Sequence, residues 1–304
     1  MKNEYLPIKA VIEKIILESL DAKTFILRPE GKTNQILNYK PGQFMMLSLA
    51  GYGEAPFTFA SSPSKDGRLQ ISVRRVGALT EALHKLREKD VVGVRGPYGN
   101  TFPLDKIKGK DLLFVAGGCG IAPLRPLIQH IFSARGGKDR KNYGRVEIIY
   151  GCRTPGDIFY QDEIKSWEKD VKTSVHLTVD QPDASWGGTC GVVCVLLPQI
   201  KLNPKTSLVF LCGPGVMIKF AIADILKLGF REQNIYASLE RYMKCGIGKC
   251  GHCYINPAPS LYSSHTFDKV SDKKEGRCGV KGKYVCLDGP NFSYTQMKEL
   301  NIES

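Results

Sequence analysis

The sequence contains no apolar run long enough to cross a bilayer. Its best candidate, LLFVAGGCGIAPL, is short and broken by glycine and proline, whereas a spanning helix needs about 20 apolar residues. The opening stretch MKNEYLPIKAVIEK carries no apolar core followed by a small-residue cleavage site. No secretory signal is read there, and a cytoplasmic location is expected. Internal repeats and long low-complexity tracts are missing as well.

What is present is a 304-residue chain with 42% hydrophobic content, enough to bury an ordinary core in two or three domains. Its ten cysteines are therefore not needed as staples, and in a reducing compartment most should be free or metal-bound. The net charge is +13, with a denser basic group at Lys269, Lys273, Lys274, Arg277, Lys281 and Lys283. A solvated basic face, a nucleic-acid surface and attraction to an acidic partner or phosphorylated cofactor all fit that balance.

Residues 1–108 read as short strands separated by turns: VIEKIILES, TFILRP, GQFMMLSLA, FTFASSP, RLQISVRRV and DVVGVRGP, with one helical stretch, LTEALHKLRE. That pattern predicts a small antiparallel β-barrel. Residues 109–240 alternate strand and helix. DLLFVAGG, VEIIYG, SVHLTVD, SLVFLCG and NIYASLE are strand-like, while APLRPLIQHIFSAR, DEIKSWEKD and GVMIKFAIADILKLG have helical spacing. The alternation predicts an α/β doubly wound parallel sheet. Residues 241–304 are glycine- and cysteine-rich with little periodicity; a metal centre would order such a segment.

Three motifs carry chemistry. In VAGGCGIAPLRPL, Gly117, Gly118 and Gly120 let a βα turn approach a pyrophosphate, although Pro123 stands where G-x-G-x-x-G has its third glycine. In LCGPGVM, Cys212 falls at the carboxyl edge of the sheet, where a nicotinamide could lie; a buried small hydrophobe would read the same. In MKCGIGKCGHC, Cys245, Cys250 and Cys253 give C-x4-C-x2-C with Cys286 downstream, the order of plant-type [2Fe–2S] ligands. Zinc sites usually pair their ligands as two C-x2-4-C motifs, which fits poorly. Gly246, Gly248 and Gly251 free the backbone to wrap the sulfurs.

Together the segments resemble the ferredoxin–NAD(P) reductase superfamily. More narrowly they resemble the electron-transfer subunits with a C-terminal [2Fe–2S] domain, found in sulfhydrogenases, anaerobic sulfite reductase and dihydroorotate dehydrogenase. The blocks that carry the likeness are GEAPFTFASSP, RGPYGNTFP, VAGGCGIAPLRPL, IYGCRTPGDIFYQDE, LERYMKCGIGKCGHC and YVCLDGPNF. The resemblance implies an FAD-binding barrel lined by Pro56, Phe57, Thr58, Phe59 and Ser61. Arg74, Gly77, Ala78 and Thr80 would hold the ribityl and diphosphate. It implies an NAD(P)H site in which Gly117, Gly118, Gly120 and Pro123 face the pyrophosphate, and Cys212, Gly213 and Pro214 the nicotinamide end. Cys245, Cys250, Cys253 and Cys286 would ligate the cluster.

Two departures stand out. Ala55 occupies a position where many relatives have arginine, and the link between Cys253 and Cys286 is long and contains Cys278, a rival fourth ligand. Arg153 in GCRTPGD could clamp the 2′-phosphate of NADP, stack on adenine or pair with Asp157. The expectation is a subunit moving electrons between NAD(P)H, FAD, a [2Fe–2S] cluster and a catalytic redox partner, with no nucleic acid and no membrane span. Rival readings are a self-sufficient NAD(P)H:ferredoxin-type reductase and a zinc-containing basic nucleic-acid binder.

Overall fold

The computed structural model describes residues 3–31, 33–64, 66–132, 140–256 and 282–302. Cys278 and the basic group from Lys269 to Lys281 lie outside them.

The first unit is built from β1 (Ile8–Ser19), β2 (Ala22–Pro29), α1 (Asn34–Leu37), β3 (Phe44–Leu49), β4 (Gly53–Thr58), β5 (Leu69–Arg74), α2 (Ala78–Lys85) and β6 (Val91–Tyr98). Its six strands pair antiparallel in the order β4-β3-β6-β1-β2-β5. Alternate residues of β5 are buried, the period-2 signature of a sheet with one covered face. Phe25, Leu27, Met45, Leu47, Ile71, Val73 and Val94 fill the interior. The strand expected at FTFASSP instead starts at Gly53 and ends at Thr58. Beyond it Phe59 N still donates to Gln43 O on the β3 side, and Ala60 N donates to Gln70 O in β5. The chain switches partners there, which brings the two edges of the sheet together.

The second unit follows as β7 (Leu112–Gly117), α3 (Ile121–Phe132), β8 (Val146–Cys152), α4 (Gln161–Trp167), β9 (Thr173–Val179), β10 (Thr189–Cys190), β11 (Leu208–Cys212), α5 (Gly215–Lys227) and β12 (Ile235–Ser238). All six residues of β7 are buried, as expected of a central parallel strand covered on both faces. Phe114, Tyr150 and Phe210 belong to the core that includes residues of α3 and α4. Leu113, Val115 and Leu211 pack with α5 and a 3-10 helix over Val193–Gln199. The apolar CGVVCVLLPQI thus resolves into the two-residue β10 and that 3-10 helix.

The cysteine-rich end contains β13 (Tyr254–Ile255), β14 (Lys283–Tyr284), α6 (Val285–Asp288), β15 (Asn291–Ser293) and α7 (Tyr294–Glu299). β15 pairs antiparallel with β12, giving the order β10-β9-β8-β7-β11-β12-β15. Its three residues carry no readable period, so the sequence did not announce a seventh strand.

Buried polar contacts join the units. Arg125 of α3, its side chain 7% exposed, pairs with Glu163. It also donates to Ala60 O and Gln70 Oε1 of the barrel and lies over the Tyr160 ring. Ser62 N donates to Gln129 Oε1 at 2.8 Å. Asn100 Nδ2 donates to Asp288 O and Asn291 O at 2.7 Å each, and Asn291 Nδ2 donates to Gly42 O at 3.0 Å. Removing one partner from such a network leaves the others unsatisfied. Arg125→Ala is expected to lower stability by about 3 kcal/mol, read from the shift in the urea unfolding midpoint; an unchanged midpoint would show the contact to be energetically idle.

Candidate cofactor site

Antiparallel pairing sets Pro56 opposite Met46 and Thr58 opposite Phe44, and directly opposed residues point to the same face of a sheet. Met46 and Phe44 belong to the core shared with the nucleotide sheet and the cysteine-rich segment, so Pro56 and Thr58 face that side. Pro56, Phe57 and Thr58 are half-buried. Phe59 and Ser61 turn inward: the Phe59 ring stacks on Tyr39 at 3.8 Å, and Ser61 Oγ is 3.1 Å from Tyr39 Oη. Burial pushes the Tyr39 hydroxyl up to about 12.

Arg74 closes β5 with its Nε 3.3 Å from Asp21, and its guanidinium lies against Gly118 of the nucleotide sheet. The diphosphate and pyrophosphate candidates are therefore neighbours across one seam. Gly77 and Ala78 are exposed at the start of α2. The Thr80 hydroxyl is committed locally: it accepts from Val76 N and Gly77 N at 2.9 Å and donates to Gly77 O.

The glycines after β7 serve packing as well as any ligand. A Cβ at Gly120 would stand 2.2 Å from Cys212 O, and one at Gly117 2.4 Å from Met217 Sδ. The β7–α3 and β11–α5 turns interlock, which is why both carry glycine. Pro123 is half-buried in the first turn of α3, Gly213 is buried and Pro214 exposed. Cys212 ends β11 and is 2% exposed; burial, with the charge of Glu240, pushes its thiol up to about 12. Cys152 is pushed up to about 12 by burial as well. Beside these turns a cavity of about 620 Å³ is lined by Gly213, Gly215, Leu239, Glu240, Tyr254 and Val285, among others.

Arg153 is exposed after β8. The pairing with Asp157 weighed above is not formed: that carboxylate accepts from Thr154 N at 3.1 Å and Thr154 Oγ1 at 2.8 Å, closing a one-turn cap. A second cavity of about 520 Å³ lies near this loop, between Pro155, Gly156, Asp183 and Trp186.

At the third centre Cys286 joins the C-x4-C-x2-C loop. The thiol of Cys250 neighbours that of Cys245, and the thiol of Cys253 that of Cys286. Backbone N–H groups point at the sulfurs: Gly248 N to Cys286 at 3.1 Å, Lys249 N and Cys250 N to Cys245 at 3.3 and 3.4 Å, and Cys286 N to Cys253 at 3.5 Å. Burial raises the Cys245 thiol, but the N–H groups of Ile247, Cys250 and Lys249 outweigh it and bring the pKa to about 7. Burial and then the Cys253 thiol push Cys286 up to about 12.

Two thiol pairs suit two irons, and N–H donors aimed at sulfur suit thiolates. The residues present fit an iron–sulfur cluster. Gly246 and Gly248 both have φ +71°, and a Cβ at Gly248 would stand 2.3 Å from Leu287 Cδ1. Asn100, Asn291 and Arg125 hold this assembly together, yet sequence reasoning gave them no role. All three sit inside RGPYGNTFP, YVCLDGPNF and VAGGCGIAPLRPL, so the blocks themselves were the available signal.

Comparison with known proteins follows the same division. Residues 9–102 match the oxidoreductase FAD-binding domain, 114–222 the oxidoreductase NAD-binding domain, and 240–262 the iron–sulfur cluster binding domain of dihydroorotate dehydrogenase B. The sulfhydrogenase 1 subunit gamma of Pyrococcus furiosus is 33% identical over 296 residues, 96% of this chain and 92% of its own. A probable dihydroorotate dehydrogenase B (NAD(+)) electron transfer subunit of Methanocaldococcus jannaschii is 34% identical, covering 96% and 91%. A solved NADH-dependent reduced ferredoxin–NADP oxidoreductase shares the fold with a TM-score of 0.71 at 24% identity, over 100% of this chain and 94% of that one. The class is a flavin- and nicotinamide-dependent oxidoreductase of ferredoxin–NADP reductase type. Within it, the chain belongs to the family of electron-transfer subunits that end in a dihydroorotate dehydrogenase B-type iron–sulfur segment.

Two outcomes follow from this geometry. Gly120→Ala forces a Cβ onto the backbone of Cys212, and overpacking of that kind should cost about 3 kcal/mol, seen as an earlier thermal melt. Because thiolates and not thiols are alkylated, exposed Cys190 should take up iodoacetamide at mildly alkaline pH while Cys152 and Cys212 stay unlabelled, as mass spectrometry of the digested protein would record.

Proposed function

We propose that this chain is an NAD(P)H-dependent electron-transfer subunit that holds FAD and a [2Fe–2S] cluster and serves a catalytic redox partner in a larger complex. The observation that carries the reading is the convergence of Cys245, Cys253 and Cys286, with the N–H groups of Gly248, Lys249, Cys250 and Cys286 donating to their sulfurs, on a chain that also has FAD- and NAD-binding domains. Bound there, flavin links two-electron hydride chemistry to one-electron steps, and the cluster carries single electrons.

The chain's own contribution is positioning. Pro56 and Thr58 offer a half-buried wall to the flavin ring, while Phe57, opposite Met45, points to the other face and packs on the barrel core. Arg74 offers positive charge and Ala78 its N–H to a diphosphate, beside exposed Gly77, whose own N–H is held by Thr80. Gly117, Gly118, Gly120 and Pro123 form the turn for the nicotinamide cofactor's pyrophosphate, Arg153 stands at its adenosine end, and Cys212, Gly213 and Pro214 close the nicotinamide end. With its proton retained, Cys212 acts here as a neutral, small wall and not as an acid or base. Arg125 and Asn291 hold barrel, sheet and thiols in one register. Tyr242, against the His252 ring, and Leu287, against Gly248, are 72% and 52% exposed and give apolar ground near the thiol loop for a subunit contact. The sulfhydrogenase and dihydroorotate dehydrogenase relatives, being named subunits, support such a partner.

The test is composition and sequential reduction. Purified chain reconstituted with FAD, iron and sulfide should hold about one flavin and about two irons, the [2Fe–2S] stoichiometry, and NAD(P)H should bleach both chromophores. Cys250→Ser and Cys286→Ser should each lose most of the iron while keeping the flavin. Zinc in place of iron, or wild-type iron in Cys286→Ser, would overturn the assignment.

A further inference from the structure

The cluster loop and the flavin wall meet at one contact. A Cβ at Gly246 would stand 3.0 Å from Met46 Cγ, 3.2 Å from Met46 Sδ and 3.6 Å from Tyr98 Cδ2. Gly246 follows Cys245 directly and is buried. Met46, fully buried, is paired in register with Pro56. Its side chain leaves the barrel interior, where neighbours Met45 and Leu47 point, and enters the core that holds Met243, Cys253, Val285 and Cys286. Met46 is thus the residue that touches the thiol loop while sharing a strand pair and a face with the flavin wall. Gly246 cannot be replaced without loss: its φ of +71° disfavours any side chain, and Met46 occupies the space one would need.

Resting on the proposed function, we infer that the Met46–Gly246 contact is the route by which electrons cross between the flavin groove and the cluster, with Met46 as the positioning residue. Electron transfer through protein slows steeply as the gap between centres widens and as packed atoms give way to voids. A thioether in van der Waals contact with a glycine backbone keeps both short and dry. The closely fitted Asn100–Asn291 amides, anchored at Gly42, Asp288 and Asn291 carbonyls, prevent the two sides from drifting apart. Tyr98, tilted against Phe44 at 6.0 Å, closes the contact on its other side.

The experiment compares wild type, Met46→Leu, Met46→Ala and Gly246→Ala, each loaded with FAD and cluster and mixed with NADH under anaerobic conditions. Flavin and cluster absorbance are followed separately in a single turnover. In Met46→Ala and Gly246→Ala the lag between flavin bleaching and cluster bleaching should lengthen by about tenfold to a hundredfold, the order that an ångström of misplacement costs where reacting groups must be held close. Met46→Leu, which conserves volume, should restore most of the wild-type lag. In Met46→Ala and Met46→Leu iron content, visible circular dichroism and cluster reduction potential should stay at wild-type values, while magnetic coupling between the two centres in electron paramagnetic resonance should weaken in Met46→Ala. An unchanged lag and unchanged coupling in variants that hold flavin and iron would overturn the route alone. A wild-type protein without flavin or iron would overturn the functional reading instead. Should Met46→Ala lose iron, Met46→Val makes the same comparison with a smaller void.

Discussion

The third centre of this molecule hangs on three residues, Asn291–Ser293, added antiparallel to the edge of a parallel sheet. A strand edge offers unpaired N–H and C=O groups that bind whatever chain arrives in register. Here the arriving chain is the protein's own segment beyond the thiol loop. Once β15 is seated on β12, Asn291 reaches Gly42 of the barrel, and Leu239 N is closed by Pro290 O. Cys286, five residues earlier, is then held against a loop whose first cysteine lies some forty positions upstream. That edge pairing, the short β13–β14 ladder and the bond from Val285 N in α6 to Cys253 O at 3.1 Å together fix where the fourth sulfur stands.

The chemistry of the sulfurs follows from the same placement. Cys245, Cys253 and Cys286 are buried in a largely apolar surround, beside Met243, Ile255 and Val285, while Cys250 is exposed. Cys286 feels burial and Cys253 most and is pushed up, while Cys245 is brought down by the N–H groups that converge on it. A cationic centre reverses that balance by neutralising the charges as they form, and binding releases the protons. The glycines of the loop matter for geometry: left-handed turns at 246, 248 and 251 are what let successive N–H groups face inward.

Periodicity made the barrel, the parallel sheet and its bounding helices legible, since burial on one face or two imposes periods of 2 and 3.6 on any chain. Spacing made the thiol loop legible, since C-x4-C-x2-C is local. What stayed hidden was non-local. FTFASSP has strand composition throughout, yet its second half changes partners at Ala60, a switch that depends on Gln70 ten residues away. Asn100 and Asn291 are ordinary turn residues until they face each other. CGVVCVLLPQI is apolar enough for a strand, but its placement over β8 and α5 selects a 3-10 helix. Gly117 and Gly120 were legible as glycines for a phosphate turn; that each is also required by the neighbouring turn could be seen only with Cys212 and Met217 in place.

Charge at the seam follows one more non-local rule. Ala55 leaves the start of the proposed flavin wall without a cation, and the adjacent Glu54 is no substitute, being an anion. It accepts instead from Arg95, a side chain 5% exposed that also faces the Tyr5 and Tyr98 rings. Because β3 separates β4 from β6 in the sheet, that pair reaches across a strand and consumes both charges. The positive group left near the seam is Arg74, one-third exposed and bound on one side to Asp21, with its guanidinium against Gly118. A cation so placed lies between the barrel's helix start and the glycine turn of the sheet. On the proposed reading it answers two phosphate-bearing cofactors at once. With Ala55 in β4 and Arg74 at the end of β5 against Gly118, positive charge lies where, on the proposed reading, the flavin and nicotinamide sides of the groove meet.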